Sequence, residues 1–347
     1  MVSLLKKIEG AGLVGRGGGC FPTATKWEMV KKAKAGEKYV ICNASEGEPG
    51  VKKDGYILNH QTDKVIRGIE LAREFLSEKG VKVKAYIYIN PEYYGQLGPK
   101  LLRKIGDKDI EIFVKPHEAG YIGGEETSIL NTMEGEKTEP RLRPPFPTTN
   151  GLWGCPTIIN NVETLLNVAL VESGEYKKER YYTIGGKAKN KGVFCLPENW
   201  TLERILKETG NLPRFDFFTQ VGGNGSGMVL NSKQLKRRAE GAGTITIYKL
   251  NGHKPQKMIK TWIDFFLSQS CGQCTPCREG VYRLKKIVDS EPVDWKLFAE
   301  ILDNLEASAF CGLGCAVPIP IKSYLKNVAR LKQVKFIDQK IICQCFS

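Results

Sequence analysis

The sequence predicts an α/β chain: a parallel sheet with crossover helices, then a small β-rich segment, then a helical segment carrying clustered cysteines. Three observations predict it. Apolar strand-like runs alternate with helical periodicity through the first third, glycine and short β runs crowd the stretch after about residue 172, and SCGQCTPCREG opens the last part.

In order along the chain, YVIC at Tyr39–Cys42 reads as a short buried strand. Asp63–Lys79 places Val65, Ile66, Ile69, Leu71, Ala72, Phe75 and Leu76 at helical spacing, as an amphipathic helix requires. VKVKAYIYIN then reads as a strand, PEYYGQLGPKLLRKIG as a helix and IEIFVK as a strand. Strand, helix, strand, helix, strand implies parallel β-α-β units, whose ligands sit where strand ends meet loops. EPRLRPPFPTTNGLWGCP interrupts the pattern, and Thr157–Val171 is predicted to be a helix. Short β runs follow in YYTIGG, VFCLP and TITIYKL, and from Gln256 to about Gln333 the pattern is helical. The expected domains are 1–171, 172–250 and 251–335, with a tail over 336–347.

Hydrophobic residues make up 41% and charged residues 26% of the 347, which suits a folded globular chain and excludes disorder on a large scale. The start lacks the apolar stretch and cleavage pattern of a secretory signal, and no run reaches the ~18 apolar residues of a spanning helix. A cytoplasmic location without direct membrane insertion is expected. The formal charge of +14 is spread thinly, over Lys31, Lys32 and Lys34, Lys236–Arg238, and Lys285 with Lys286. It forms no arm or reader motif, so nucleic acid is not the expected partner.

Eleven cysteines, three of them in CxxCxxC, read as metal ligation in a reducing compartment rather than as disulfides. Cys271, Cys274 and Cys277 place three thiolates around one metal face, and a cubane needs a fourth. Cys311 in FCGLGC is the candidate and Cys315 the rival. Structural zinc is the competing metal, although zinc sites more often pair two CxxC knuckles. Cys42, Cys155 and Cys195 read as buried thiols, and Cys343 with Cys345 forms a CxC whose two ligands prove no site.

Glycines Gly15, Gly17, Gly18 and Gly19 beside Arg16 and Lys26 allow backbone N–H groups to approach a phosphate or a flat ring. NASEGEPG projects Asn43, Glu46 and Glu48 from the end of the first strand. GYIGGEETSIL opens a helix with Tyr121, Gly123, Gly124, Glu125 and Glu126. Carboxylates there suit ribose hydroxyls, ring N–H groups or an amide, while for Glu125 and Glu126 the plainer role is helix-start charge.

With GRGGGCFPTATKW, ICNASEGEPG, GYIGGEETSIL, PRLRPPFP, PTIINNVETL, SCGQCTPCREG and the CGLG turn in order over about Gly12–Pro318, the chain resembles the flavin- and NADH-binding subunit of respiratory complex I. It equally resembles the diaphorase subunits of NAD(P)-linked hydrogenases and formate dehydrogenases. The resemblance implies a Rossmann-like FMN domain, a small ubiquitin-like β-grasp domain and a C-terminal helical bundle with a [4Fe-4S] cluster. It implies FMN held by the glycine loop, Asn43, Ser45, Glu46, the Tyr121–Glu126 turn, Asn160, Asn161 and Thr164. Phe21, Lys26, Glu48, Glu126 and Phe146 would line the side taken by NAD(H) or NADP(H). Phe21 and Phe146 would stack on its rings, and Glu48 would hold the nicotinamide amide. Implied partners are a thioredoxin-like [2Fe-2S] subunit and a larger iron-sulfur, hydrogenase, formate dehydrogenase or quinone-reducing subunit. Three residues depart from the family pattern: Cys20 for glycine, Met29 for an aromatic and Ser45 for aspartate. They support a second reading, a non-catalytic scaffold subunit that keeps the cluster.

Overall fold

A computed structural model describes residues 3–330 and 337–346. The chain divides into two compact units, one of residues 1–47 and 52–181, the other of residues 48–51 and 182–347. Among the described residues no helix is long and apolar enough to cross a membrane.

The first unit holds four parallel strands, β1 (Glu37–Ala44), β2 (Lys82–Ile89), β3 (Ile110–Val114) and β4 (Thr157–Asn161), in the order β3-β2-β1-β4. Strands β1 and β2 are largely buried on both faces, hence the near-continuous apolar runs of Val40–Cys42 and Ala85–Ile89, while edge strand β3 is buried mainly at Ile110. Crossovers are made by α3 (Lys53–His60) with α4 (Thr62–Leu76) and by α5 (Pro91–Ile105). In α5, Asn90 accepts a hydrogen bond from the Glu92 amide and Pro91 occupies the first turn, so the turn before it ends in a capped start. Strand order reverses between β1 and β4, the crevice where such sheets bind ligands.

The expected helix over Thr157–Val171 is corrected here. Its first five residues form β4, paired with β1 from Tyr39 opposite Thr157 to Asn43 opposite Asn161, and the helix α7 runs Val162–Ser173. Thr157, Ile158 and Ile159 are β-branched and buried, and the Asn161 side chain accepts from the Glu163 amide, so strand and helix abut with no loop between them. Helix α7 packs closely on α4: a Cβ on Gly68 would lie 2.0 Å from the Leu165 carbonyl oxygen.

The second unit contains a five-stranded sheet of β5 (Glu179–Gly186, which enters from the first unit), β6 (Gly192–Pro197), β7 (Phe217–Val221), β8 (Met228–Asn231) and β9 (Thr244–Lys249), ordered β6-β5-β9-β7-β8. Parallel central strands β5 and β9, an antiparallel β7–β9 pair and the helix α8 (Leu202–Glu208) give the expected β-grasp arrangement. Helices α9 (Pro255–Gln269), α10 (Thr275–Asp289), α11 (Trp295–Ser308), α12 (Gly312–Ala316) and α13 (Pro318–Tyr324) follow. The expected helical run ends within residues 331–333, which lie outside the described residues, as do the proposed domain limits at 335 and 336.

Candidate flavin site and candidate cluster site

At the crevice, the ends of β1 and β4 bring predicted residues together. Asn43 lies in register with Asn161. The Asn43 amide donates to the Gly124 carbonyl at 3.0 Å, and its oxygen accepts from Ser45 N at 3.1 Å and Ser45 Oγ at 2.7 Å. A Cβ on Gly124 would stand 2.8 Å from Ser45 Oγ, so a side chain there would displace the Ser45 hydroxyl from Asn43. The glycine loop is closed by the Gly15 amide on the Phe21 carbonyl at 2.9 Å. It is tied to α7 by the Arg16 amide on Thr164 Oγ1 at 2.9 Å, and Gly17 lies against Asn161. Arg16 is buried and donates to the Tyr176 hydroxyl at 3.1 Å.

Other predicted residues already have protein partners. Asn160 Oδ1 accepts from the buried Trp27 indole at 2.7 Å. Lys26 pairs with Glu126 and donates to the Ile159 carbonyl at 3.1 Å. Glu125 caps α6 (Glu126–Met133): its Oε2 accepts from the Thr127 and Ser128 amides, each at 2.9 Å, and its Oε1 meets Arg143. Phe21 and Phe146 are about half exposed. Tyr121 lies beside Gly47.

Glu48 belongs to the second unit. Its Oε1 accepts from Gly225 N at 2.8 Å and Ser226 N at 3.0 Å, and its Oε2 from Ser226 Oγ at 2.9 Å. The carboxylate therefore braces the Gly222–Gly227 loop, a role invisible from a partner 177 residues away. Of a carboxylate's roughly four acceptor directions, three are taken.

Sequence reasoning missed the charged groups behind the crevice. Lys53, 2% exposed, meets Asp54 Oδ1 at 2.5 Å, Asn161 Oδ1 at 2.9 Å and Glu163 Oε2 at 3.3 Å. Asn161 Nδ2 returns to Asp54 Oδ2 at 2.7 Å. Burial opposes the Lys53 charge, but Asp54, Glu163 and Glu46 outweigh it and hold its pKa above the ordinary value. Lys115 is buried beneath the Tyr121–Gly124 turn, donating to the Gly120 carbonyl at 2.7 Å, and burial pushes it down to about 8. In the sequence both lysines look like ordinary surface charge.

In the second unit, Cys274 precedes α10, Cys277 lies in its first turn and Cys311 precedes α12. The Cys277 thiol is pushed up to about 11, by burial first and against a contact from Ser270, then by Cys274, Cys311 and Cys271 in turn. Those are the other three predicted ligands. Cys315 instead donates to the Ala309 carbonyl at 3.4 Å, and its pKa is raised by burial first and then by Cys274. The CGLG turn must carry Gly314, because a Cβ there would meet Ala309 at 2.6 Å and Cys277 at 3.4 Å. Among the described residues no three His, Cys, Asp or Glu side chains are gathered tightly enough for one metal ion. Among the described residues no cysteine is in a disulfide, and the Cys345 side chain lies outside them.

A nucleotide-crevice α/β unit joined to a β-grasp and a helical thiol cluster defines a flavin and iron-sulfur redox subunit. The family described as the Nuo51 FMN-binding domain matches residues 8–170, and the NADH-ubiquinone oxidoreductase-F iron-sulfur binding region matches residues 257–331. The NADH-quinone oxidoreductase F subunit of Aquifex aeolicus is 32% identical over 360 residues, covering 92% of this chain and 83% of that protein. The mitochondrial NADH dehydrogenase [ubiquinone] flavoprotein 1 of Dictyostelium discoideum is 29% identical, covering 93% and 77%. A chain of the NAD+-reducing [NiFe]-hydrogenase in the H2-reduced state superposes with a TM-score of 0.86 at 28% identity, over 98% of this chain. This chain spans 62% of that hydrogenase chain's length. The chain belongs to the family of NADH-quinone oxidoreductase F subunits.

Proposed function

We propose that the β1/β4 crevice holds FMN and takes a hydride from NADH or NADPH, and that Cys271, Cys274, Cys277 and Cys311 hold a [4Fe-4S] cluster. As a family member the chain is the NADH-side electron-transfer subunit of a multi-subunit oxidoreductase. The single observation that carries the site assignment is the convergence of Asn43, Ser45, Gly124, Gly17, Asn161 and Thr164 on one strand-end crevice.

The residues fit the group. Gly124 packs on Ser45 and Gly17 on Asn161, which keeps both backbone segments close to the strand ends, and side-chain amides, hydroxyls and Glu46 supply mixed donors and acceptors for a flavin ring. Gly15, Arg16, Gly17 and Gly18, with Tyr121, Asn160 and Thr164, would complete the FMN shell. FMN supplies hydride acceptance and release of single electrons; the protein supplies orientation and exclusion of water. Phe21 and Phe146 would stack on the dinucleotide, Lys26, Glu125 and Glu126 would line its path, and Glu48 would offer its remaining acceptor direction to the nicotinamide amide. The implied partners are a thioredoxin-like [2Fe-2S] subunit and a larger subunit that reduces quinone or carries hydrogenase or formate dehydrogenase chemistry. A cytoplasmic location suits thiol ligation, which a reducing compartment preserves.

Purified chain is expected to release FMN on denaturation, up to one per molecule, and to reduce a dye with NADH or NADPH. FMN binding without turnover would favour the scaffold reading that Met29, Cys20 and Ser45 support.

Glu48→Gln tests the finer assignment. It keeps the shape but weakens a charge-assisted bond by on the order of 1.5 to 3 kcal/mol, so kcat/KM should fall about tenfold to over a hundredfold with FMN retained. A loss of unfolding stability with unchanged kcat/KM would leave Glu48 as a loop brace alone.

A further inference from the structure

Three carboxylates and one ammonium meet behind the crevice. Lys53 sits on Asp54 at 2.5 Å and on Glu163 at 3.3 Å. Glu46, two residues past the end of β1, receives among the described residues the neutral donors Asp54 amide on Oε1 at 3.2 Å and Tyr93 hydroxyl on Oε2. Among the described residues, half-buried Glu46 and buried Asp54 thus adjoin one ammonium, Lys53, whose contacts are with Asp54 and Glu163. Like charges placed so cannot all stay ionised cheaply, and the member without its own cation is the one that binds a proton.

We propose that Glu46 is the charge-compensating proton site of the flavin crevice, taking up one proton from water when a hydride arrives and releasing it when the electrons leave. This rests on the FMN reading above. The balance is simple. Hydride transfer from the dihydronicotinamide carries two electrons and one proton into the crevice, adding one negative charge. A proton from water bonds to a carboxylate oxygen of Glu46 and cancels that charge. When two electrons pass on to the iron-sulfur acceptor, the hydride-derived proton and the Glu46 proton both return to water.

The groups facing Glu46 set its response. From α3 the Asp54 charge favours the protonated form, while Lys53 and the Asp54 amide favour the ionised one. From α5 the Tyr93 hydroxyl also favours the ionised form, and from α7 Glu163 acts through Lys53. Burial is the largest influence, then Asp54, and together they push Glu46 up to about 7. An added negative charge in the crevice raises it further, so protonation follows reduction at pH just above 7.

The test is redox-difference infrared spectroscopy and potentiometry on the full FMN-loaded chain, with wild type, Glu46→Gln and Tyr93→Phe. In wild type a protonated-carboxyl band should grow on reduction near pH 8. The flavin potential should fall with pH by about 30 mV per unit more than in Glu46→Gln, the contribution of one extra proton to a two-electron couple. Tyr93→Phe, which removes a bond to the ionised form, should move the start of the steep region to higher pH. Equal slopes in wild type and Glu46→Gln, with FMN bound and reducible in both, would overturn the proposal. Should Glu46→Gln fail to bind FMN, an unmoved break in Tyr93→Phe overturns it instead. Wild type that binds no FMN overturns the flavin reading itself.

Discussion

Replacing Cys274 with serine is expected to remove cluster iron and acid-labile sulfide almost completely. Cys274 is the residue before α10, and its thiol acts on Cys277 in the first turn of the same helix. A cubane missing one thiolate loses a ligand and also the tie between the loop after α9 and the start of α10, so helicity and unfolding midpoint fall together. Cys311→Ser should match it, because Cys311 is among the thiols that act on Cys277, whereas Cys315→Ser should keep its iron, since the Cys315 thiol turns to the Ala309 carbonyl. Iron retained in Cys311→Ser and lost in Cys315→Ser would reverse the assignment. Zinc in place of iron and sulfide in the wild type would replace the cluster altogether. FMN content should survive Cys274→Ser, with transfer to the partner subunit abolished, because the flavin residues Asn43, Asn161 and Thr164 belong to the other unit.

What the sequence revealed depended on whether the signal was local. CxxCxxC is local, and so is the cap at Glu125, whose partners Thr127 and Ser128 lie two and three residues away. Tyr39–Cys42 read as a strand because four apolar residues sit together, although pairing extends it to Glu37–Ala44. Strand β4 was hidden because TIINN has only five residues and runs directly into the periodic pattern of α7, so its identity comes from the Tyr39–Asn43 partner strand. The same limit hid the buried charges. VKKDGY gives two lysines and an aspartate that look solvated, yet Lys53 and Asp54 are buried by contacts with Asn161 and Glu163 more than 100 residues on. Glu48 shows the converse: its motif pointed to a ligand, while its neighbours in space are the amides of Gly225 and Ser226.

Lys53→Met should be the most damaging single change in the first unit. Lys53, Asp54 and Glu163 are 2%, 3% and 0% exposed, so the charges have no water to fall back on. Removing the ammonium strips Asp54 and Glu163 of their cation and Asn161 Oδ1 of a donor, and breaking such a buried pair costs about 3–5 kcal/mol. The loss should depend on pH. Without Lys53, Glu46, already raised by burial and Asp54, loses the charge that favours its ionised form, so its folded-state pKa rises further above the unfolded value and the folded variant binds more protons than the unfolded chain. Its stability therefore recovers as pH falls toward about 5 and is lowest above about 7. Adding Asp54→Asn should restore part of the stability at pH 7.5, since the amide oxygen still accepts from Asn161 Nδ2 while one uncompensated charge disappears. FMN affinity should drop with it, because Asn161 is both the group held by Lys53 and the wall against which Gly17 packs. Urea unfolding at pH 7.5 and 5.5, beside FMN titration, checks all three. A loss below about 1 kcal/mol that is the same at both pH values would mean that the cluster carries no net charge stress.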